Sequence, residues 1–235
     1  MVGAGVALVV IVVVITFGFG GDDGGGTSSD VSTAPSAPAT VPSVSSSAAA
    51  HDLAAHVTLA PADWGSTYVR DSPYEGDEMA TSLPDQNCKL VAESLTDALA
   101  HQWRNAKNPD NTAFASSSLT VYKGADFAKR DIARQRDALR QCPSESETND
   151  KRQWDNVHEV KIPALKGFDD VVAEEGHLGT DEKGQKTDTY YVSLTGSRGQ
   201  YVLNSAVSRG PDTQEQNRTD AVNALSLMLS RLAGR

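Results

Sequence analysis

Apolar and polar positions divide the chain into three regimes. From Met1 to Gly20 the pattern is almost unbroken: fifteen of twenty residues are apolar and none is charged. About 20 apolar residues in a helix cross a ~30 Å hydrocarbon core, and a helix satisfies its own backbone in lipid. The run therefore predicts a transmembrane anchor over residues 1–20. A cleaved signal peptide would carry a basic flank, and the first Lys or Arg is Arg70. That absence leaves the positive-inside rule only the α-amino group to act on. The expectation is that Met1 is not the native start. From Gly21 to Ala50 there is no periodicity, only eight Ser, six Ala, four Gly, three Thr and three Pro with three acids. Too little apolar area is available there to offset chain entropy, which predicts a flexible linker over 21–50.

From His51 onward the pattern is that of a folded domain, expected over 51–235. Residues 51–70 predict an irregular lead-in with one helical turn, and the Pro- and acid-rich stretch 71–85 predicts a loop. Cys88, Val91, Ala92, Leu95, Ala98, Leu99 and Trp103 recur at helical spacing and predict a first helix over Asn87–Trp103. Leu119 and Val121 alternate with Thr120 and Tyr122, a short strand. A second helix follows from Gly124 or Asp126 to about Cys142, with Ala128, Ile132 and Leu139 inward and Pro143 as its stop. Beyond it the chain alternates. Val160 and Ile162, then Val171 and Ala173, predict strands, and Gly176–Gly179 predicts a turn between strands. Thr187–Thr195 against Gln200–Val207, joined through Gly196–Gly199, predicts a hairpin. A third helix opens after Pro211 with a capping-box pattern at Asp212 or Thr213. Its apolar stripe is Val222, Leu225, Met228, Leu229 and Leu232. The order predicts an α+β fold: an antiparallel sheet packed by about three helices, preceded by the transmembrane helix and the linker.

Charge and chemistry change this picture little. A net charge of −10 disfavours a nucleic-acid partner, which needs a clustered basic stripe. No cofactor is expected, since no phosphate-binding glycine loop and no G-x-S-x-G elbow occurs. No metal is expected either: His51, His56, His101, His158 and His177 are scattered. The acids Asp169, Asp170, Glu174, Glu175, Asp181 and Glu182 read as a solvated hairpin end. The basic face of the second helix reads as a solvated surface, and Asn217-Arg218-Thr219 is a sequon inside a helix. Cys88 and Cys142, outside a membrane, either pair as a disulfide or stay as two core thiols; pairing is the expectation. Trp64, Trp103, Tyr190 and Tyr201 are the candidate cleft residues, each with core packing as the alternative. No catalytic residue is expected, and a hydrolase would need a nucleophile–base pair that the sequence does not display.

Several segments carry a resemblance: HVTLAPADWGSTY, NCKLVAESLTDAL, FAKRDIARQRDALRQC, the YYVSLTG strand and the terminal helix. Together with the apolar span and linker, residues 51–235 resemble the extracytoplasmic sensor domain of actinobacterial PknH-type transmembrane Ser/Thr kinases, in its stand-alone membrane-anchored form. Sensors of that type usually hold a second disulfide, and this chain has one cysteine pair. The resemblance implies a non-enzymatic extracytoplasmic sensor or ligand-binding domain on a single-pass membrane protein. It also implies an unidentified ligand and a kinase encoded nearby or in frame. The alternative is a structural cell-envelope protein that binds a protein partner or a cell-wall polymer.

Overall fold

The computed structural model describes residues 41–147, 151–181 and 183–234. Its elements in chain order are α1 (Ser47–Val57), α2 (Pro61–Trp64), β1 (Val69–Gly76), β2 (Ala80–Pro84), β3 (Lys89–Ser94), β4 (Ala98–Lys107) and β5 (Ala113–Tyr122). There follow α3 (Ala125–Gln141), β6 (Glu145–Glu147), β7 (Gln153–Glu159), β8 (Asp170–Thr180), β9 (Lys186–Arg198), β10 (Tyr201–Arg209) and α4 (Gln214–Leu232). The strands form one curled ten-stranded sheet in the order β1-β4-β5-β10-β9-β8-β7-β6-β3-β2. All neighbours are antiparallel except β3 and β6, which run parallel. The result is a mostly-sheet domain with four helices rather than an even mixture of the two.

Strand alternation assigns the two faces. On β10, Tyr201, Leu203 and Val207 face a core shared with α1 and α4, as do Val192 and Leu194 of β9. Their neighbour Val202 faces the other way, into a second core under α3 with Tyr122, Ala128, Ile132, Leu139, Val157 and Val172. α1 begins where Ser46 accepts a hydrogen bond from Ala49 N, an N-cap. It buries Ala50, Ala54 and Val57. The folded unit thus reaches back beyond His51. Val41 and Val44 also pack on the core, and Tyr201 Oη donates to Pro42 O. α4 is fastened by bidentate ion pairs: Arg231 to Asp63 at 2.6 and 3.0 Å, and Arg218 to both oxygens of Glu175. α3 is fastened by Arg136, which donates to both oxygens of Asp170, to Glu159 and to Val171 O.

Several expectations are corrected. The helix expected over Asn87–Trp103 is instead β3, a turn at residues 95–97, and the start of β4. β3 pairs with β2 and β6, and β4 with β1 and β5. Of the apolar residues at helical spacing only Leu95 and Ala98 are buried, and a bulge between Ala98 and Ala100 interrupts the two-residue period of β4. The loop expected over 71–85 holds β1 and β2. Pro73 and Pro84 lie in the two edge strands, where a missing N–H costs no ladder bond. Val160 and Ile162 lie after β7, and the turn expected at Gly176–Gly179 is the interior of β8. α4 begins where expected, but Thr213 Oγ1 donates to Gly210 O and makes no cap. The β9–β10 hairpin keeps only Gly199 and Gln200 in its turn, with Gly199 at φ +55°. Four of the six acids expected as a solvated cluster meet side-chain partners: Asp169 with Arg198, Asp170 with Arg136, Glu174 with Tyr191 and Glu175 with Arg218. Asp181 accepts from the backbone of its own turn, and Glu182 lies outside the described residues. The anchor expected over residues 1–20 lies outside the described residues. Among those described, no helix is long and apolar enough to cross a membrane.

Candidate functional site

The curled sheet leaves a cleft of about 560 Å³ on the face that α3 only partly covers. Its floor is a grid set by strand register. One row runs across four strands as Trp103, Ser118, Asn204 and Thr195. The next row, two residues along, runs as Asn105, Ser116, Ala206, Ser193 and Glu174. Neighbouring strands lie about 4.8 Å apart, so each row presents small polar groups at that interval. One wall is β2 with Leu90 of β3. Another is α3, through Asp131, Gln135, Ala138 and Leu139, and Glu145, Trp154 and Tyr191 close the far end.

The polar groups of the floor are held in place. Asn204 Nδ2 donates to Ser193 Oγ and Thr195 Oγ1, each at 2.9 Å. Trp103 Nε1 donates to Glu78 Oε2 at 2.7 Å. Tyr191 Oη donates to Glu174 Oε1 at 2.6 Å. Burial pushes the Glu174 carboxyl above the usual range, while the Tyr191 hydrogen bond pulls the other way. Glu145 is pushed up to about 7 by burial and by the nearby Glu174 charge. Burial and the Glu174 carboxylate both raise the Tyr191 phenol. Asp131 borders the cleft and accepts from Arg134 at 3.2 Å. Among the described lining residues the ionisable groups other than Tyr191 are Asp131, Glu145, Glu174 and His101, with no Lys or Arg.

His101 Nδ1 lies 2.9 Å from Thr120 Oγ1, a hydroxyl–imidazole pair on the cleft lining. The two residues are 8% and 6% exposed. Burial holds the imidazole below its ordinary value, partly offset by Glu78 and Asp131. The pair is a cross-strand lock between β4 and β5.

Cys88 and Cys142 form a disulfide. Cys88 lies in the turn before β3, and Cys142 caps α3. The bond therefore joins two walls of the cleft. Of the four aromatics picked from sequence, Trp103 lines the cleft. Trp64 packs on the α1–α4 core. Tyr201 is 1% exposed in that same core, and Tyr190 packs against His177 at 4.9 Å. The structure does not bring the four together. Sequence reasoning missed Tyr191, Trp154, Glu145, Glu174 and the hydroxyl floor. The alternation of Tyr191, Ser193 and Thr195 against Val192 and Leu194 was the available signal.

No known family model matches the sequence. No curated protein matches it either. Among solved structures, the chain is similar to the crystal structure of the extracellular domain of PknH from Mycobacterium tuberculosis. The TM-score is 0.57 at 9% identity, over 79% of this chain and 97% of that one. The fold is PknH-like. A Mycobacterium smegmatis protein, an Rv0999 ortholog, aligns at a TM-score of 0.37 and 10% identity, over 70% and 90% of the two chains. The PknH-like likeness concerns the fold. The cleft chemistry is read from this chain's own residues.

Proposed function

We propose that this protein is a membrane-tethered, extracytoplasmic ligand-binding sensor module without catalytic activity. Residues 1–20 anchor it, the segment up to about residue 40 tethers it, and the domain beyond binds a ligand. A kinase encoded nearby or in frame would receive the signal. The observation that carries this reading is the cleft. At about 560 Å³ it falls within the size range of small-molecule sites. Its polar side chains converge on one floor, while the His101–Thr120 pair is largely buried. The PknH-like fold supports it, since that neighbour is an extracellular domain. The disulfide supports an oxidising compartment.

The test is a thermal-shift panel on the full chain in phosphatidylcholine nanodiscs. The probes are neutral oligosaccharides, inorganic phosphate, glycerophosphoglycerol and a muropeptide. Wild type is compared with Ser118→Trp, which fills the floor, after circular dichroism confirms that the variant is folded. At least one probe is expected to raise the wild-type Tm and leave Ser118→Trp unmoved. No stabilisation by any probe, or stabilisation that persists in the filled variant, would overturn the reading.

A further inference from the structure

The class of ligand can be read from the cleft, on the premise that the cleft is the binding site. We infer that the floor formed by Trp103, Ser118, Asn204, Thr195, Ser116 and Ser193 is a subsite for a neutral, polyhydroxylated ligand, a short oligosaccharide.

Three observations carry this. The first is charge. The carboxyls on the lining are Asp131, Glu145 and Glu174, and no Lys or Arg lines the cleft among the described residues. An anionic ligand would meet carboxyls with no cation to offset its desolvation. The second is the hydrogen-bonding character of the floor. Ser, Thr and Asn side chains both donate and accept. A purely apolar ligand would strip water from them and return nothing. Sugar hydroxyls also donate and accept, and two rows of such groups at strand spacing offer repeated partners along the ligand. The third is the aromatic at the end of the row. Trp103 follows Ser118 in register, and its indole N–H is already committed to Glu78. A Cβ built on Gly76 would come within 2.5 Å of Trp103 Cζ2, so the indole rests on bare backbone and is fixed before any ligand arrives. A fixed ring with a spent donor offers its apolar surface, which suits the C–H surface of a sugar ring.

The experiment is isothermal titration of the full chain in phosphatidylcholine nanodiscs. Detergents with sugar headgroups are avoided. The neutral probes are chitotriose, cellotriose and maltotriose; the anionic probes are inorganic phosphate and glycerophosphoglycerol. One or more trisaccharides are expected to bind. Trp103→Ala and Asn204→Ala are each expected to weaken that binding about tenfold, the scale of a lost anchor or hydrogen bond in a closed site. Ser118→Trp is expected to abolish it. Trp103→Phe, which keeps a ring, should recover part of the Trp103→Ala loss. If only an anionic probe binds, and Ser118→Trp blocks it, the carbohydrate assignment falls while the cleft remains the site. If trisaccharides bind equally well to wild type, Trp103→Ala and Asn204→Ala, this subsite is wrong. If nothing binds in a way that Ser118→Trp blocks, both the assignment and the site fall.

Discussion

Trp103 rests on Gly76: a side chain on that glycine would come within 2.5 Å of the indole. The contact joins edge strand β1 to the cleft floor on β4, and glycine is the residue that permits the close approach. Gly76→Ala should push the indole off its seat and loosen its bond to Glu78. The expected outcome is a red shift of Trp103 emission and loss of probe binding, with the melting temperature changed far less than in a core truncation. An unchanged emission spectrum would show that the contact does not position the ring.

Tyr191 repeats the arrangement at the far end of the cleft. A Cβ on Gly176 would lie 2.6 Å from the Tyr191 ring, and the phenol reaches Glu174. Tyr191→Phe removes the donor from a carboxyl that burial already disfavours as an anion. The Glu174 pKa should rise further, and stability near pH 8 should fall by about 1–3 kcal/mol, the cost of an unmade hydrogen bond to a buried group. Side-chain NMR titration of Glu174 checks the first point, and urea unfolding checks the second.

Glu145 sets a pH dependence whose sign follows from its environment. It faces Glu174 from β8, with Tyr191 beside it, and it borders a shallower pocket with Asp155, His177 and Lys186. Its carboxyl rises from an ordinary value of 4.5 to about 7 on folding. Its stabilising contribution is therefore complete below about pH 4.5 and is lost as pH climbs through 7. Glu145→Gln keeps the neutral form. Between pH 5 and 8 the wild-type Tm should fall relative to that of the variant. Parallel curves would contradict the burial of this carboxyl.

The disulfide spans a sequence separation of 54 and joins two cleft walls. Loop-closure entropy for such a span is worth about 4 kcal/mol, and residual structure lowers the realised figure. Cys88→Ser with Cys142→Ser should lower stability by up to that amount. Probe affinity should fall as well, because the β2–β3 wall is then no longer pinned to the end of α3. Unfolding and titration of the double variant test both effects. Affinity kept at wild-type level would separate the disulfide from the site.

Asn217 is fully buried at the start of α4, accepting from Arg209 at 2.7 Å and donating to Tyr190 O at 3.0 Å. The sequon it opens is therefore closed to a glycosyltransferase once the chain has folded. Asn217→Ala removes one hydrogen bond each from half-buried Arg209, which keeps Tyr68 and Asp220, and from Tyr190 O. Losing two such bonds should cost about 1–3 kcal/mol, measured by chemical unfolding.

What was legible in the sequence is what local chemistry determines. Residues 125–141 show a helical period ended by Pro143, and residues 186–209 alternate around Gly199; both stand in the structure with small shifts at their ends. Residues 87–103 carry apolar side chains at helical spacing although Ala92 is exposed and Leu99 and Trp103 are only half-buried. Pairing of β3 with β2 and β6, and of β4 with β1 and β5, makes them strands, and those partners are remote in sequence. The cleft floor was hidden for a similar reason. Ser116, Ser118, Ser193 and Asn204 read as the wet side of strands. What turns that side into a cleft is the curl of the sheet, α3 and the disulfide-pinned β2–β3 wall, all remote in sequence. Trp103 is legible as an aromatic, but its role depends on Gly76, 27 residues earlier and on another strand.

The most direct measurement uses Trp103 as its own reporter. In a Trp64→Phe, Trp154→Phe background Trp103 is the only tryptophan in the chain. The full chain in phosphatidylcholine nanodiscs is titrated with neutral trisaccharides while its emission is followed. A saturable spectral change that disappears in Asn204→Ala and Ser118→Trp is the predicted result. Emission that stays constant while the same trisaccharide raises the melting temperature would contradict the account, since binding would then lie away from the cleft.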